Sequence, residues 1–396
     1  MRQRLSTSLI ETPLLEGLLT KEHECVLEVK RKVTGLQAGS LIVGDLPIGC
    51  RLCGEGKKMV LFVTGLCESS CFYCPLSAEK GGRDVVFADE MPVKDFADVI
   101  AEAEAIGAEG AGLSGGDPLC QLKRTLRYIE RLKDYYGEDF HLHLYTSMAD
   151  VDRETLLLLQ EKGLDEIRFH PQDKNWKGVE ESIDIGLETG LELPVIPGQE
   201  TQLRETAVRA EEIGAGFLNL NELEASESNF GRLVSLGMRL TSLGNSSIAG
   251  SQSLANQILE WASGELTNLT VHYCSASFKD SVQMRNRLKR RLERTKRELE
   301  VDVDDEPLLV LGVLRPQLQN IDQRELERAA DMLSQYYEIP DDLLNVDRQR
   351  MRIEIAPWIL EEIAEDIKHR FSGQWQLGIA TEYPSWDRLQ VEFDPL

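Results

Sequence analysis

Residues 59–74 read MVLFVTGLCESSCFYC, an apolar run that turns directly into a loop with three cysteines. The run from Met59 to Thr64 has the composition of a buried strand. Cys67, Cys71 and Cys74 follow it at once. Three thiolates on one short loop can hold three irons of a [4Fe-4S] cluster and leave the fourth iron without a protein ligand. The stretch therefore predicts a cluster that is open for chemistry.

Two other roles for this cysteine loop have to be weighed. A zinc ion needs four nitrogen or sulfur ligands, usually from two CxxC-type pairs, and the loop offers three. A disulfide would leave one thiol over, and residues 1–19 lack the basic and then apolar layout of a secretory signal peptide. Both observations favour the cluster over a zinc or structural role.

The CxxxCxxC spacing, with Tyr73 directly before the last cysteine, resembles the signature of the radical S-adenosylmethionine (SAM) superfamily. Residues 114–118, SGGDP, resemble the GGE-type motif of the same superfamily, with Asp117 in the place of the commoner Glu. The resemblance implies that SAM chelates the open iron. It also implies that one electron cleaves SAM to methionine and a 5'-deoxyadenosyl radical, which abstracts a hydrogen atom from the substrate.

The resemblance further implies which residues contact SAM. Tyr73 would line the adenine side, the backbone of Gly115 and Gly116 would receive the methionine amino group, and Ser147 would make a polar contact. Residues 193–198 resemble the strand that packs against adenine. The expected SAM-binding residues are Tyr73, Ser114, Gly115, Gly116, Asp117, Ser147, His170 and Ile196.

Length and composition agree with a large α/β protein. The 396 residues suit a barrel of roughly 200 to 250 residues with an appended module, and 42% hydrophobic residues support a core. No stretch approaches the roughly 18 apolar residues of a membrane span, so we expect a cytoplasmic protein with no membrane partner. The net charge of -24 argues against broad nonspecific binding to nucleic acid.

Strand-like and helix-period segments alternate after Cys74, which is the pattern of a parallel β/α sheet. Six strands are predicted, and with the resemblance they indicate a partial (β/α)6 radical SAM barrel followed by a C-terminal α+β module. The predicted segments are an N-terminal extension (1–57), the radical SAM core (58–225), a barrel-closing segment (226–300) and an acidic α+β module (301–396).

Polar residues alternate with apolar ones near the ends of several predicted strands. Because alternate strand residues point inward and reactive groups gather at the carboxyl ends of barrel strands, a polar lumen is expected. We expect His141 to be its deepest member. The predicted mouth of the lumen is formed by Tyr145, Ser147, Arg168, His170, Asn219, Asn221 and Glu222.

A second cysteine set precedes the loop. Cys50 and Cys53 form a CxxC pair followed by glycine, a geometry shared by zinc knuckles, Fe-S ligands and redox dithiols. Cys274 is its expected third member, which predicts an auxiliary Fe-S cluster or a zinc site. The fourth position would be His272, Cys25 or an open iron, and inert buried thiols remain an alternative. Cys25 and Cys120 are otherwise expected to be unliganded.

The chain as a whole resembles archaeal-type radical SAM proteins related to pyruvate formate-lyase activating enzymes, a label that carries no specific reaction. We therefore expect an oxidoreductase- or transferase-type enzyme that acts on a small molecule or a peptide and takes electrons from ferredoxin or flavodoxin. The basic helix 285–297 raises two alternatives, a grip on tRNA or charges paired with the acidic module. A noncatalytic Fe-S protein is a further alternative, which the SGGDP motif disfavours.

Overall fold

The computed structural model describes residues 30–172, 174–317, 322–370 and 375–396. Cys25 lies outside these ranges. Two sheets organise the described part of the chain, one of eleven strands and one of six. The first sheet carries the cysteine loop, and the second is built from residues after 300.

The first sheet contains a parallel run whose strands follow one another in space nearly as they do in the chain. Its order is β1-β2-β11-β10-β9-β8-β7-β6-β3-β4-β5, and the strands from β11 to β3 are all parallel. The strands are β1 (Val33–Gly35), β2 (Leu41–Val43), β3 (Lys58–Thr64), β4 (Phe87–Ala88), β5 (Met91–Pro92), β6 (Gly110–Gly115), β7 (His141–Thr146), β8 (Glu166–Phe169), β9 (Glu188–Val195), β10 (Phe217–Glu222) and β11 (Thr270–Cys274).

This arrangement confirms the partial barrel, and it adds one parallel strand to the six predicted. β11 pairs with β10 in parallel, with Asn219 opposite His272 and Asn221 opposite Cys274. The short antiparallel strands β1 and β2 extend the β11 side, whereas β4 and β5 extend the β3 side. His272 and Cys274 therefore belong to the sheet that carries the cysteine loop.

Helices follow most of the parallel strands and bury an apolar face against them. Val99 and Ile106 of α2, for example, pack with Leu113 of β6, and all three side chains are fully buried. The helices of this part are α1 (Ile48–Gly54), α2 (Phe96–Ile106), α3 (Leu122–Tyr136), α4 (Arg153–Glu161), α5 (Lys177–Asp184), α6 (Glu200–Ile213), α7 (Phe230–Ser235), α8 (Ser251–Glu265), α9 (Ala276–Phe278) and α10 (Arg285–Thr295).

The helical spacing of apolar residues after Phe96 predicts a first helix over 92–107 with Pro92 at its entry, and the structure differs at this start. Pro92 lies in strand β5, and the helix begins at Phe96 behind the N-cap residue Asp95. Asp95 and Asp98 form a reciprocal capping box, which satisfies backbone N–H groups that have no partner inside the helix. The capping box therefore fixes the helix start, four residues after the proline.

Helix α1 enters the barrel from below β3 and does not pack on its outside. Gly49, Cys50 and Leu52 are its buried residues. A Cβ on Gly49 would lie 2.7 Å from a guanidinium nitrogen of Arg168, so only glycine lets the helix approach the inward-facing side chains this closely. α1 therefore carries the CxxC pair into the lumen.

The second sheet is antiparallel, in the order β14-β15-β13-β16-β17 with β12 paired to β13. Two amphipathic helices, α11 and α12, bury Leu326 and Leu360 in its core. This is the α+β module expected from the sequence. Its elements are β12 (Val301–Asp302), β13 (Leu309–Pro316), α11 (Gln323–Tyr337), β14 (Leu344–Asp347), β15 (Arg352–Ile355), α12 (Pro357–Arg370), β16 (Trp375–Glu382) and β17 (Gln390–Pro395).

Among the helices of the described ranges, none is both long enough and apolar enough to span a membrane.

Candidate active site and second cysteine cluster

The cysteine loop begins at the carboxyl end of β3, the end of a parallel strand where barrel sites are built. Cys67, Cys71 and Cys74 are free thiols. Cys67 is exposed, and the other two are half-buried. The Cys71 sulfur lies 3.6 Å from Oε1 of Gln172. Burial raises the pKa of the Cys71 thiol.

The donor chemistry of the loop suits a cluster better than a single metal ion. Tetrahedral zinc takes four nitrogen or sulfur ligands, and the loop offers three thiols. Three thiols can bind three irons of a [4Fe-4S] cluster and leave the fourth iron for another ligand. The donor set therefore fits a cluster.

Gly115 and Gly116 let the chain that leads into Cys67 lie directly against the end of β6. Gly115 has φ +151°, and a Cβ there would lie 2.2 Å from the carbonyl oxygen of Thr64. A Cβ on Gly116 would lie 2.4 Å from the carbonyl oxygen of Leu66. The backbone N–H groups of Gly116 and Asp117 donate to Thr64 and Leu66 at 2.8 and 2.7 Å. The two glycines thus set the position of the cysteine loop.

Asp117 ties the glycine motif to the next strand and, through it, to Cys67. Its carboxylate is fully buried and accepts from the hydroxyls of Thr146 and Ser147, at 3.0 and 2.9 Å, and from two backbone N–H groups. The hydroxyl of Ser147 in turn accepts from Ser69 at 3.0 Å and lies 3.9 Å from the Cys67 sulfur. The predicted residues Asp117 and Ser147 are therefore joined to the loop.

Replacing Asp117 with alanine is expected to destabilise the protein by about 3 kcal/mol, because four donors lose a buried charged acceptor. Urea denaturation of the metal-free protein, followed by circular dichroism, measures this loss. Ser69→Ala, which removes only the outer hydroxyl, is the matched control and should cost about 1 kcal/mol. Equal stabilities of the two variants would contradict the assigned role of the carboxylate.

Tyr73, His170 and Ile196 line one cavity of about 700 Å³ beside the loop, together with Cys71 and Leu193. The Tyr73 hydroxyl lies 2.6 Å from Nε2 of His170, and Nδ1 of His170 lies 2.7 Å from the carbonyl oxygen of Glu192. Since a carbonyl only accepts, Nδ1 carries the proton and Nε2 accepts from Tyr73. Burial lowers the pKa of His170, so the ring is held neutral. The cavity has the size of a cofactor site.

Two residues that sequence reasoning missed hold this region in place. Asn229 donates to the carbonyl oxygens of Tyr73 and Glu224, at 2.9 and 3.0 Å, and so anchors the loop to the segment after β10. Thr146 shares the Asp117 carboxylate with Ser147. Nothing in the local sequence indicates a role for Asn229. Thr146 could have been found from the sequence, because it directly precedes the predicted residue Ser147.

The predicted residue Ser114 lies at the end of β6, opposite Phe62.

Some of the residues predicted at the mouth of the lumen lie deeper. Arg168 and Asn219 are each 2% exposed and contact the Cys50 sulfur at 3.4 and 3.2 Å. Glu222 accepts from the backbone N–H of Ala276. Asn221 donates to Glu192 at 2.9 Å. Arg168 and Asn219 are therefore deeper than the prediction placed them, because alternation along a strand gives the face of a residue but not its depth. Asn221 and Glu222 are the last two residues of β10, at its carboxyl end.

The lumen brings Cys50, Cys53 and Cys274 to one small cavity of about 110 Å³. Burial raises the pKa of Cys50, and it raises that of Cys274 to about 12. Glu192, which sequence reasoning missed although it lies between Leu191 and Leu193, accepts from Arg168 and Asn219 at 3.0 and 3.2 Å. Its burial opposes ionisation, but the charges of Arg168 and Lys58 and the hydrogen bonds from Asn221 and Asn219 together outweigh burial and lower the pKa of Glu192.

Below this cavity His141, His143 and Glu166 form a buried group. The guanidinium of Arg168 binds Glu166 at 2.5 Å, and Nε2 of His141 lies 3.5 Å from the same carboxylate. Burial opposes ionisation of Glu166, but the charge of Arg168 and its other partners lower its pKa to about 2. The carboxylate is therefore an ion-pair partner of Arg168. His141 lies deep in the lumen, as expected.

The basic helix 285–297 is paired within the protein. Arg291 binds Glu102 of α2, and Arg290 donates to the carbonyl oxygens of Ile106 and Gly107 at the end of that helix. A cation beside the last carbonyls of a helix is favourable. The remaining partners are Asp89 for Arg287, Glu104 for Arg294, Glu306 for Arg285, Asp302 for Lys296, and Glu300 and Glu354 for Arg297. The basic side chains that would bind tRNA phosphates are thus paired with acidic residues, both in the barrel and in the C-terminal module.

Comparison with known proteins bears on the family. A model described as the radical SAM superfamily matches residues 61–183, and one described as a domain of unknown function (DUF8061) matches residues 308–396. A Methanocaldococcus jannaschii protein named "Putative glycyl-radical enzyme activating enzyme MJ0021" is 35% identical over 364 residues, which is 89% of this chain and 93% of that protein.

Solved structures are more distant. SuiB of Streptococcus suis bound to S-adenosylmethionine has a TM-score of 0.39 at 13% identity, covering 57% of this chain and 53% of that chain. Coproporphyrinogen III oxidase (HemN) of Escherichia coli has a TM-score of 0.35 at 13% identity, covering 55% and 56%. The family follows from the sequence relative and the matched model: the chain belongs to the radical SAM superfamily and is an enzyme of that superfamily.

Proposed function

We propose that this protein binds a [4Fe-4S] cluster through Cys67, Cys71 and Cys74, cleaves SAM reductively, and abstracts hydrogen from a peptide or small-molecule substrate. The observation that carries the proposal is the loop itself, which places three free thiols directly after the carboxyl end of β3. When bound, the cluster and SAM supply a 5'-deoxyadenosyl radical.

The residues around the loop would bind SAM at two places, one for its amino acid part and one for its adenine. The carbonyls of Gly115 and Gly116 and the hydroxyl of Ser147 lie on the side of Cys67, where they suit the amino acid part of SAM. Tyr73, His170 and Ile196 lie in the cavity beside Cys71, where an aromatic and an aliphatic surface suit adenine. The hydrogen bond between Tyr73 and neutral His170 fixes the aromatic ring without adding charge.

A polypeptide is the substrate class that we favour. The support is the relative of M. jannaschii, whose name describes an enzyme that activates another enzyme, and which matches this chain over nearly its whole length. Ferredoxin or flavodoxin would deliver the electron at the exposed side of the loop, where Cys67 lies. The paired charges of helix 285–297 weigh against tRNA as the substrate.

The substrate class is tested by hydrogen transfer. Reduced, cluster-loaded enzyme is incubated with SAM and, in separate reactions, with the protein, metabolite or tRNA fraction of cells grown in deuterated medium. We expect deuterium in 5'-deoxyadenosine with the protein fraction, and loss of this label after protease treatment of that fraction. Label that arises only from the metabolite fraction would establish a small-molecule substrate. Label that arises only from a tRNA fraction would overturn both assignments.

A further inference from the structure

The lumen of the barrel holds a second set of cysteines, apart from the loop that binds the first cluster. Helix α1 carries Cys50 and Cys53 into the barrel, and β11 brings Cys274 to the same cavity. Cys50 and Cys274 are buried, and none of the three thiols is in a disulfide. The fold thus brings three thiols to one cavity, although Cys274 lies more than 200 residues after Cys50 and Cys53 in the chain.

The cavity offers a fourth donor atom beside the three thiols. Three thiols and one imidazole can ligate an iron-sulfur cluster or a zinc ion, so sulfide content distinguishes the two. His272 lines the same cavity, and its Nε2 is buried without a hydrogen-bond partner, while its Nδ1 lies 3.1 Å from Asn219. A free imidazole nitrogen beside three thiols is a candidate fourth ligand.

Cations and polar donors surround the cysteine sulfurs. Lys58, Arg168 and Lys279 line the cavity. Arg168 is paired with Glu166 and Glu192, Lys279 is paired with Glu224, and Lys58 donates to the Tyr145 hydroxyl. Three polar donors also approach the sulfurs: Arg168 and Asn219 approach Cys50, and Gln283 lies 3.7 Å from Cys274. Hydrogen bonds to cysteine sulfur and nearby cations are the means by which proteins stabilise and tune thiolate-ligated clusters.

We propose that Cys50, Cys53 and Cys274 hold a second iron-sulfur cluster inside the barrel, with His272 at the fourth position. The proposal does not depend on the function assigned to the loop, since it rests on different residues. A zinc ion, an additional binding site for a small ligand and unliganded thiols are the competing descriptions.

The test removes the first cluster and asks what metal remains. The full chain with Cys67→Ala, Cys71→Ala and Cys74→Ala is reconstituted anaerobically with iron and sulfide, and iron, acid-labile sulfide and zinc are measured per chain. We expect iron and sulfide in equal amounts, with visible charge-transfer absorption. Adding Cys120→Ala should leave them unchanged, and adding Cys274→Ala should remove most of both. Zinc alone, iron without sulfide or no metal in the triple variant overturns the proposal.

A measurement on the unmodified protein decides the matter if the triple variant does not fold. In the reduced, reconstituted wild type we expect two electron paramagnetic resonance signals, of which SAM changes only one. His272→Ala should change the signal that SAM leaves unaltered, and His272→Cys should restore full occupancy of that cluster. A single signal that responds completely to SAM overturns the second cluster. Because 5'-deoxyadenosine formation is measured separately, a failure of this proposal and a failure of the proposed function are distinguishable.

Discussion

Replacing Cys71 with alanine is expected to reduce the formation of 5'-deoxyadenosine from SAM to the level seen without protein. Cys71 is the middle cysteine of the proposed ligand set, and it also faces the cavity that Tyr73 and His170 line. Loss of residues that merely support metal ligands costs roughly 10- to 100-fold in affinity or activity, so loss of a ligand should cost more. Anaerobic reconstitution, reduction and chromatography of the products measure the effect.

Cys120→Ala is the matched control for this experiment. Cys120 lies close to the motif residue Asp117 and carries the same kind of thiol, but it is not part of the CxxxCxxC loop. We expect the control to retain both its iron and its activity. If Cys120→Ala lost activity and Cys71→Ala kept it, the three-cysteine ligand set would be wrong.

Gly116→Ala is expected to have the second largest effect, and it acts on the same loop through packing. The added Cβ would lie 2.4 Å from the carbonyl oxygen of Leu66 and 2.7 Å from that of Gly65. Both are backbone atoms, so the chain leading into Cys67 must move. We expect a loss of about 3 kcal/mol in stability, as for overpacked cores, and a several-fold loss of iron retained after gel filtration.

Gly231→Ala is the matched control, because it adds the same methyl group at a position where there is room for it. Gly231 lies exposed in α7, and no atom lies within 4 Å of the place of its Cβ. Alanine should stabilise this helix by up to about 1 kcal/mol and leave iron retention unchanged. The account of the glycine motif would fail if Gly116→Ala behaved in the same way.

The fold was largely predictable because its strands are long enough to show their pattern. β3, β7 and β10 have six or seven residues each, and their alternation or apolar run gives the strand directly. β1, β2 and β14 have three or four residues, which is too short for a pattern, and they form only because partner strands are already in place.

One boundary error has a local cause that was visible in the sequence. The sequence pattern predicts a helix near 175–190 and a strand at 191–197, whereas in the structure the helix ends at Asp184 and β9 begins at Glu188. Gly186 between them has φ +78°, a left-handed conformation that glycine adopts freely and that ends a helix. If Gly186 had been taken as the residue that ends the helix, the prediction would have separated the helix from the strand that follows.

The site was predictable where one loop carries it and less so where several strands meet. The cysteine spacing predicts the metal-binding loop, and Cys50, Cys53 and Cys274, which the sequence also groups together, line one cavity in the structure. The depth of an inward-facing side chain in the barrel was not predictable, since it depends on the register between strands. The register places Arg168 in contact with Cys50 and not at the mouth of the barrel. The partners of helix 285–297 were likewise set by tertiary packing, which joins it to Glu102 and Glu354.

The most direct test of the central claim is the fate of SAM on the wild-type protein. Reconstituted, reduced enzyme is incubated anaerobically with SAM, and methionine and 5'-deoxyadenosine are quantified against a control without protein. We predict that both products form in equal amounts and accumulate with time. Intact SAM after prolonged incubation, from protein that carries a reduced cluster on Cys67, Cys71 and Cys74, would contradict the account.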